Sequence, residues 1–307
     1  MLGYATRRIL QAIPTLLLIV AAAFFLMRAA PGGPFDDERA LPPEIEANLQ
    51  AAYGLDQPVT VQFARYLGGL VRGDLGPSFR MKDFTVAELI GRGLPVTLSI
   101  GAAALLLGIG LGVPLGLVAG LRQNGWADHA VMSVALVGIA VPNFVVAPVL
   151  ALVFGLYLGW LPVAGWEPGS AKHLVLPVIT LALPLVAYLA RLTRGSLLEV
   201  LQAPFIRTAR AKGLDPGVIL RRHALKPTLL PVVSFLGPAA AALLTGSLVV
   251  EQVFGLPGVG RYFVQGAINR DYTLVMGMVV FYASLILLLN LAVDLVYGWL
   301  DPRIRHD

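Results

Sequence analysis

Six stretches of this chain, residues 9–27, 96–121, 130–157, 174–190, 229–250 and 274–293, contain no Asp, Glu, Lys, Arg or His at all. Each is long enough to cross the hydrocarbon of a bilayer, which takes about 20 helical residues. Hydrocarbon offers no partner to backbone N–H and C=O groups, so a stretch of this kind satisfies them internally as a helix. Composition agrees: 57% of the 307 residues are hydrophobic and 13% charged, where a soluble domain carries roughly 25% charged residues. The sequence therefore predicts an all-α membrane protein of six transmembrane helices. Cysteine is absent, which excludes disulfides, thiolate catalysis and cysteine-ligated metal.

Charge places the loops. Arg7 and Arg8 precede the first run, which at Ile9–Met27 exceeds the ~7–15 residues of a signal-peptide core and reads as a retained span with its N-terminus inside. Residues 30–95 then form a long polar excursion, expected to be an external cap. Within it Pro42-Pro43 can start a helix carrying Ile45, Leu49 and Ala52 on one face. Asp56 and Pro58 can start another, with Val59, Phe63, Tyr66, Leu67 and Leu70 apolar and Gly73 at its end. Thr85 and Glu88 have capping-box spacing.

Further spans are expected near 96–121, 130–157, 174–190, 229–250 and 274–298. The turn Arg122 to His129 and the tail Arg303-Ile304-Arg305 fall inside; Gly159 to His173, with Trp160 and Trp166 as interface anchors, falls outside. Both termini are then cytoplasmic. The net charge of +5 follows from topology and attraction to anionic lipid, with nucleic acid a poor second. The division on sequence is 1–29 as first span, 30–95 as cap and 96–307 as a five-helix core with a cytoplasmic loop at 195–228.

Glycine and proline interrupt several spans, as at Gly112 to Pro114, Pro142, Pro148, Pro184, Pro231 and Gly237-Pro238. Gly108, Gly110, Gly112, Gly116 and Gly120 add small residues, which in lipid mean close helix packing.

The loop after the fourth span is the most informative polar stretch. From Arg191 to Lys226 it holds Arg191, Arg194, Arg207, Arg210, Lys212, Arg221, Arg222 and Lys226 against Glu199 and Asp215. Pro204 can begin a short helix and Gly213 can close it in a left-handed conformation. Asp215 then caps a second short helix with Pro216 at its first position, which Pro227 stops. Arg207 and Arg210 share one face, and Ala209, Ala211 and Gly213 would let another protein come close. The plainer alternative is a solvated positive-inside loop that only fixes topology.

The apolar runs bear on mechanism. Proton-coupled carriers and pumps generally need ionisable residues at membrane depth. Arg28, Arg191 and Arg194 sit at span ends and can snorkel. His129, His173, His223 and His306 fall in loops, span edges or the tail, leaving Ser247 and Ser284 without a base and readable as packing or helix-bonding hydroxyls. Gly255 to Gly260 is glycine-rich, yet no Lys-Ser/Thr follows, so it is no phosphate-binding loop. No catalytic, cofactor or metal residue emerges.

The run Arg207-Thr208-Ala209-Arg210-Ala211-Lys212-Gly213-Leu214, followed by Arg222-His223-Ala224-Leu225-Lys226-Pro227, resembles the EAA loop of bacterial ABC importer permeases of the peptide and nickel class. Arg207 stands where the general pattern has Glu, and His223 to Lys226 stand in the later Ile-x-Leu-Pro slot, departures associated with the peptide branch. Gly246 to Gly260, Ala267 to Tyr272, Arg7-Arg8-Ile9 with Ala12 to Thr15, and Arg194-Gly195-Ser196 also resemble that family. Ala30 to Phe35 and Gly76-Pro77-Ser78-Phe79 resemble the B-type permease of oligopeptide systems.

The resemblance implies a type I ABC importer permease fold and a multi-pass protein of the bacterial inner membrane. It implies a second homologous permease, ATPase subunits beneath that hold ATP and Mg, and an external peptide-binding protein, with no cofactor in this chain. Coupling to the ATPases would rest on Arg207, Thr208, Ala209, Arg210, Ala211, Lys212, Gly213, Leu214, His223 and Leu225. An external gate or binding-protein contact would involve Glu251, Phe254, Pro257, Gly258, Arg270 and Asp271, for which loop-fixing ion pairs are the alternative. Rival readings are a stand-alone secondary carrier, a membrane scaffold, or an ABC permease for dipeptide, glutathione or nickel-chelate cargo.

Overall fold

A computed structural model describes residues 2–30, 54–81 and 83–300. The helix expected from Pro42-Pro43, the motif Ala30 to Phe35 beyond its first residue, and the tail Arg303-Ile304-Arg305 lie outside the described residues. The described helices are α1 (Leu2–Ala29), α2 (Val59–Val71), α3 (Val86–Leu121), α4 (Trp126–Ala140), α5 (Asn143–Leu150), α6 (Lys172–Gln202), α7 (Pro204–Ala211), the single turn α8 (Pro216–Val218), α9 (Leu225–Val253), α10 (Val259–Ile268) and α11 (Tyr272–Leu300). Widened π-type turns at Ala151–Tyr157 and Ile219–Ala224 extend α5 and lead into α9. Five helices are long and apolar enough to cross a membrane, and α4 with the α5 segment makes a sixth when counted as one broken span.

That break has a local cause. Pro142 forces the residue before it out of the helical region, and Val141 is extended at φ −88°, ψ 118°. The two helices diverge by 103°, so the interruption expected at Pro142 is a sharp bend within the stretch 130–157. At α3 the opposite holds. Thr85 N–H donates to Glu88 Oε2 at 2.9 Å and Glu88 N–H to Thr85 Oγ1 at 3.3 Å. The expected capping box thus starts a helix that runs unbroken from residue 86 into the span.

The described residues group into two compact units: one from Thr6–Thr97 and Pro257–Leu287, the other chiefly from Leu98–Leu256 and the end of the chain. In the first of these, helix α2 packs on its neighbours. Phe63, Tyr66, Leu67 and Leu70 lie against Val20, Phe24, Met276 and Val280, and the Phe24 and Phe63 rings are 5.1 Å apart. Val59, expected on that face, is 39% exposed. In the same unit Asp271 caps α11, accepting from Leu274 N–H at 3.1 Å.

The second unit is built on close backbone approach. Gly108, Gly112, Gly116 and Gly120 recur every fourth residue along α3 and meet Leu185, Leu189, Ala190, Thr193 and Leu197 of α6. A side chain at these positions would hold the helices apart, and in lipid that contact is what drives association. A methyl at Gly112 would lie 2.8 Å from Leu189 Cβ and from the Val186 carbonyl, whereas one at Gly110 meets nothing within 4 Å. Gly112→Ala is therefore expected to lower stability by about 1–3 kcal/mol while Gly110→Ala stays neutral. Thermal-shift size-exclusion of both variants in detergent measures this, and equal melting would contradict the packing.

Candidate functional site

The polar stretch after α6 folds as a hairpin against the ends of the long helices. Pro204 occupies the first position of α7, and Gly213 closes it at φ +75°. Asp215 Oδ1 accepts from Gly217 N–H at 2.7 Å with Pro216 at the first position of α8. Pro227 does not stop the second helix. It falls in the first turn of α9, just after the widened π-type turn, and α8, the π-type turn and α9 form one rising element.

Burial divides α7 into two faces. Ile206 and Ala209, three residues apart, are buried with Leu197 of α6 and with Ile219 and Ala224. Phe205, Arg207, Thr208, Arg210, Ala211, Lys212, Gly213 and Leu214 are exposed. Ala209, expected among the close-approach residues, instead points inward at 6% exposure because it shares the Ile206 face. His223 and Leu225 are half-buried at the entry to α9. The hairpin thus presents a basic outer surface with Arg207 and Arg210 on it, fixed from beneath by apolar contacts to α6.

An ion pair secures α6 above this hairpin. Arg194 donates through Nε to Asp128 Oδ1 at 2.5 Å and through a terminal nitrogen to Oδ2 at 2.7 Å. Asn124 N–H adds a third bond at 2.9 Å, and the Asp128 side chain is 2% exposed. Arg194 does not snorkel, as expected from its place at a span end; it ties α6 to α4. Asp128 was missed on sequence. Its signal was an acid in an otherwise basic short turn at the membrane boundary that α6 also reaches. Two residues further, Ser196 Oγ donates to the Thr228 carbonyl at 3.0 Å, joining α6 to α9. A cavity of about 410 Å³ opens alongside, lined by Tyr188, Arg191, Ser196, Glu199 and Pro231.

The residues expected at an external gate are mostly interior. Glu251 and Asp271 are fully buried, Phe254 is 1% exposed, and Gly258 is buried. Pro257 and Arg270 are half-buried. Phe254 and Leu256 close the end of α9, with Leu256 N–H donating to the Glu251 carbonyl at 2.8 Å. Gly258 and Val259 lie so near Gly93 that a methyl there would be 2.6 Å from Val259 N. Asp271 binds Ser78 Oγ at 2.5 Å and Arg80 N–H at 3.2 Å. These groups hold loops in place. Glu251, Phe254, Gly258 and Asp271 are buried within this chain. Ser247 donates to the Leu244 carbonyl at 2.7 Å, the helix-bonding role expected of it.

Sequence comparison places the chain among known proteins. The family described as binding-protein-dependent transport system inner membrane component matches residues 112–306, and its N-terminal companion matches residues 1–101. The oligopeptide transport system permease protein OppB of Salmonella typhimurium is 50% identical over 306 residues, covering 100% of both chains. The dipeptide transport system permease protein DppB of Bacillus subtilis is 42% identical, covering 99% of this chain and 98% of that one. Among solved structures, the inward-facing MetNI methionine ABC transporter aligns with TM-score 0.59 at 21% identity, over 69% of this chain and 96% of that chain. This last likeness shows the fold.

Removing one partner of the buried pair leaves the other charge uncompensated. Asp128→Asn or Arg194→Met is expected to destabilise the fold by about 3 kcal/mol, and the double variant by less than the sum. A double-mutant cycle on thermal midpoints reads the coupling; strict additivity would mean the pair contributes nothing.

Proposed function

The chain belongs to the family of binding-protein-dependent transport system inner membrane components, and from that premise we propose that it is a permease subunit of an ATP-driven oligopeptide importer. It is a multi-pass protein of the inner membrane with a permease fold. Oligopeptide cargo is supported by 50% identity to OppB along the entire chain, over both the spans and the loops. Dipeptide cargo is the second reading, supported by the 42% identity to DppB.

The observation that carries the coupling role is the two-faced hairpin. Arg207, Arg210 and Lys212 are exposed on one side while Ile206 and Ala209 are clamped to Leu197 on the other. A push on the outer face by an ATPase subunit is transmitted by close-packed side chains, which do not absorb it. It reaches α6, and the Arg194–Asp128 pair passes it to α4. ATP and Mg belong to the ATPase partners, and a second permease completes the pathway. Peptide is delivered by an external binding protein. The cavity beside Tyr188, Arg191 and Glu199 offers both charge signs to a zwitterionic peptide near the cytoplasmic ends of α6 and α9.

Charge reversal at Arg207 and Arg210 together is expected to abolish ATPase co-purification and peptide uptake while leaving the permease in the membrane. Tagging the chain, solubilising native membranes gently and identifying co-purifying chains by mass spectrometry measures the first; uptake of labelled peptide measures the second. Uptake by the purified chain alone in liposomes on an ion gradient, without ATP, would instead establish a secondary carrier.

A further inference from the structure

A cavity of about 380 Å³ lies within the first unit, walled by the end of α1, by α2 and by the start of α11. Its volume falls in the range of small-ligand sites. Arg28 of α1 stands in its wall, with its guanidinium carbon 4.7 Å from the Phe24 ring centroid and 5.3 Å from that of Tyr272. No described carboxylate pairs with it, and its Nε is buried without a hydrogen-bond partner among the described residues. Tyr66 Oη, from α2, is in the same condition. Burial raises the Tyr66 phenol to about 12, so it stays a neutral donor.

The remaining charges of the lining do not compensate Arg28. Arg65 donates to the neutral Gln57 at 2.8 Å. Asp74, the acid of the lining, accepts from Gly76 N–H at 2.8 Å. Among the described lining residues, two guanidiniums stand with one carboxylate, which already accepts a hydrogen bond. Buried donors without acceptors are costly; Arg28 and Tyr66 both line this cavity, and a guanidinium with a phenolic O–H is a donor set that matches an oxyanion.

We propose that this cavity binds the phosphate of a phospholipid headgroup at the external surface of the membrane. The place of the cavity selects lipid. Arg28 lies one residue from the end of α1, where the span leaves hydrocarbon and headgroups begin. Below it, Leu18 and Leu26 are each 72% exposed and Phe25 42%, a surface suited to acyl chains. On the other wall, α2 exposes Val61 and Val71, as a helix lying in the interface does. The rings of Phe24, Phe63 and Tyr66 pack together beside Arg28 and join α1 to α2. Lipid would brace α2 against α1, a role independent of cargo identity and of ATPase coupling.

The test uses the complex that the tagged full-length chain carries from native membranes. After delipidation by detergent exchange, dioleoyl phosphatidylglycerol is titrated in and bound lipid counted by native mass spectrometry. The intact complex is expected to retain one tight lipid per copy of this chain. Arg28→Met is expected to weaken it about tenfold, the worth of a charge-assisted contact, with Arg28→Lys intermediate. Tyr66→Phe removes a single oxygen and keeps the proposal testable if Arg28→Met does not assemble; a weaker loss is expected there. Equal retention by all variants overturns the site. Displacement of the lipid by millimolar inorganic phosphate, with Arg28-dependent phosphate binding, assigns the site to a soluble anion and overturns the lipid. Impaired docking of an external protein in Arg28→Met with lipid retention unchanged overturns it in favour of an acidic protein partner.

Discussion

The approach of α3 to α6 governs most of the larger unit. Gly108, Gly112, Gly116 and Gly120 present bare backbone along one ridge of α3, and α6 lies against it. Lipid supplies no hydrophobic drive to bring two apolar helices together, so the contact depends on how closely their backbones fit. Once α6 is seated, Arg194 reaches Asp128, Ser196 reaches Thr228, and Leu197 becomes the floor on which Ile206 and Ala209 rest. The orientation of the hairpin is inherited from a packing ridge between two apolar helices.

This arrangement holds the hairpin firmly on the long helices. Apolar burial beneath α7 leaves its basic face exposed without leaving the helix loose. The pair between α6 and α4 is short, bidentate and shielded at Asp128, so it tolerates little extension. The helix α9 rises from the hairpin through a π-type turn rather than from a separate stop. The hairpin is therefore packed against α6 and continuous with α9. The Pro142 break, by contrast, separates α4 from α5 and marks where a span changes direction.

In the smaller unit, buried polar groups play two different roles. Asp271 meets Ser78, Arg80 and the α11 N-terminus, so its carboxylate is satisfied by the loops it joins. Arg28 is bordered by rings and leaves donors unmet among the described residues. The first fixes a fold; the second leaves room for a ligand.

Much of this was legible along the chain. The apolar runs, the basic loops, the capping box at Thr85 and the Pro204, Gly213, Asp215 punctuation all act within a turn or two of backbone, so local residues determine them. The helix expected to end at Pro227 misled because proline is tolerated in a first turn, and only the upstream π-type turn makes that position one. The inward face of Ala209, the burial of Glu251, Phe254 and Asp271, and the pairing of Arg194 with Asp128 were decided by the tertiary structure. Each depends on which faces of distant helices meet, and a residue type alone does not say whether its side chain will point to a partner, to lipid or to water.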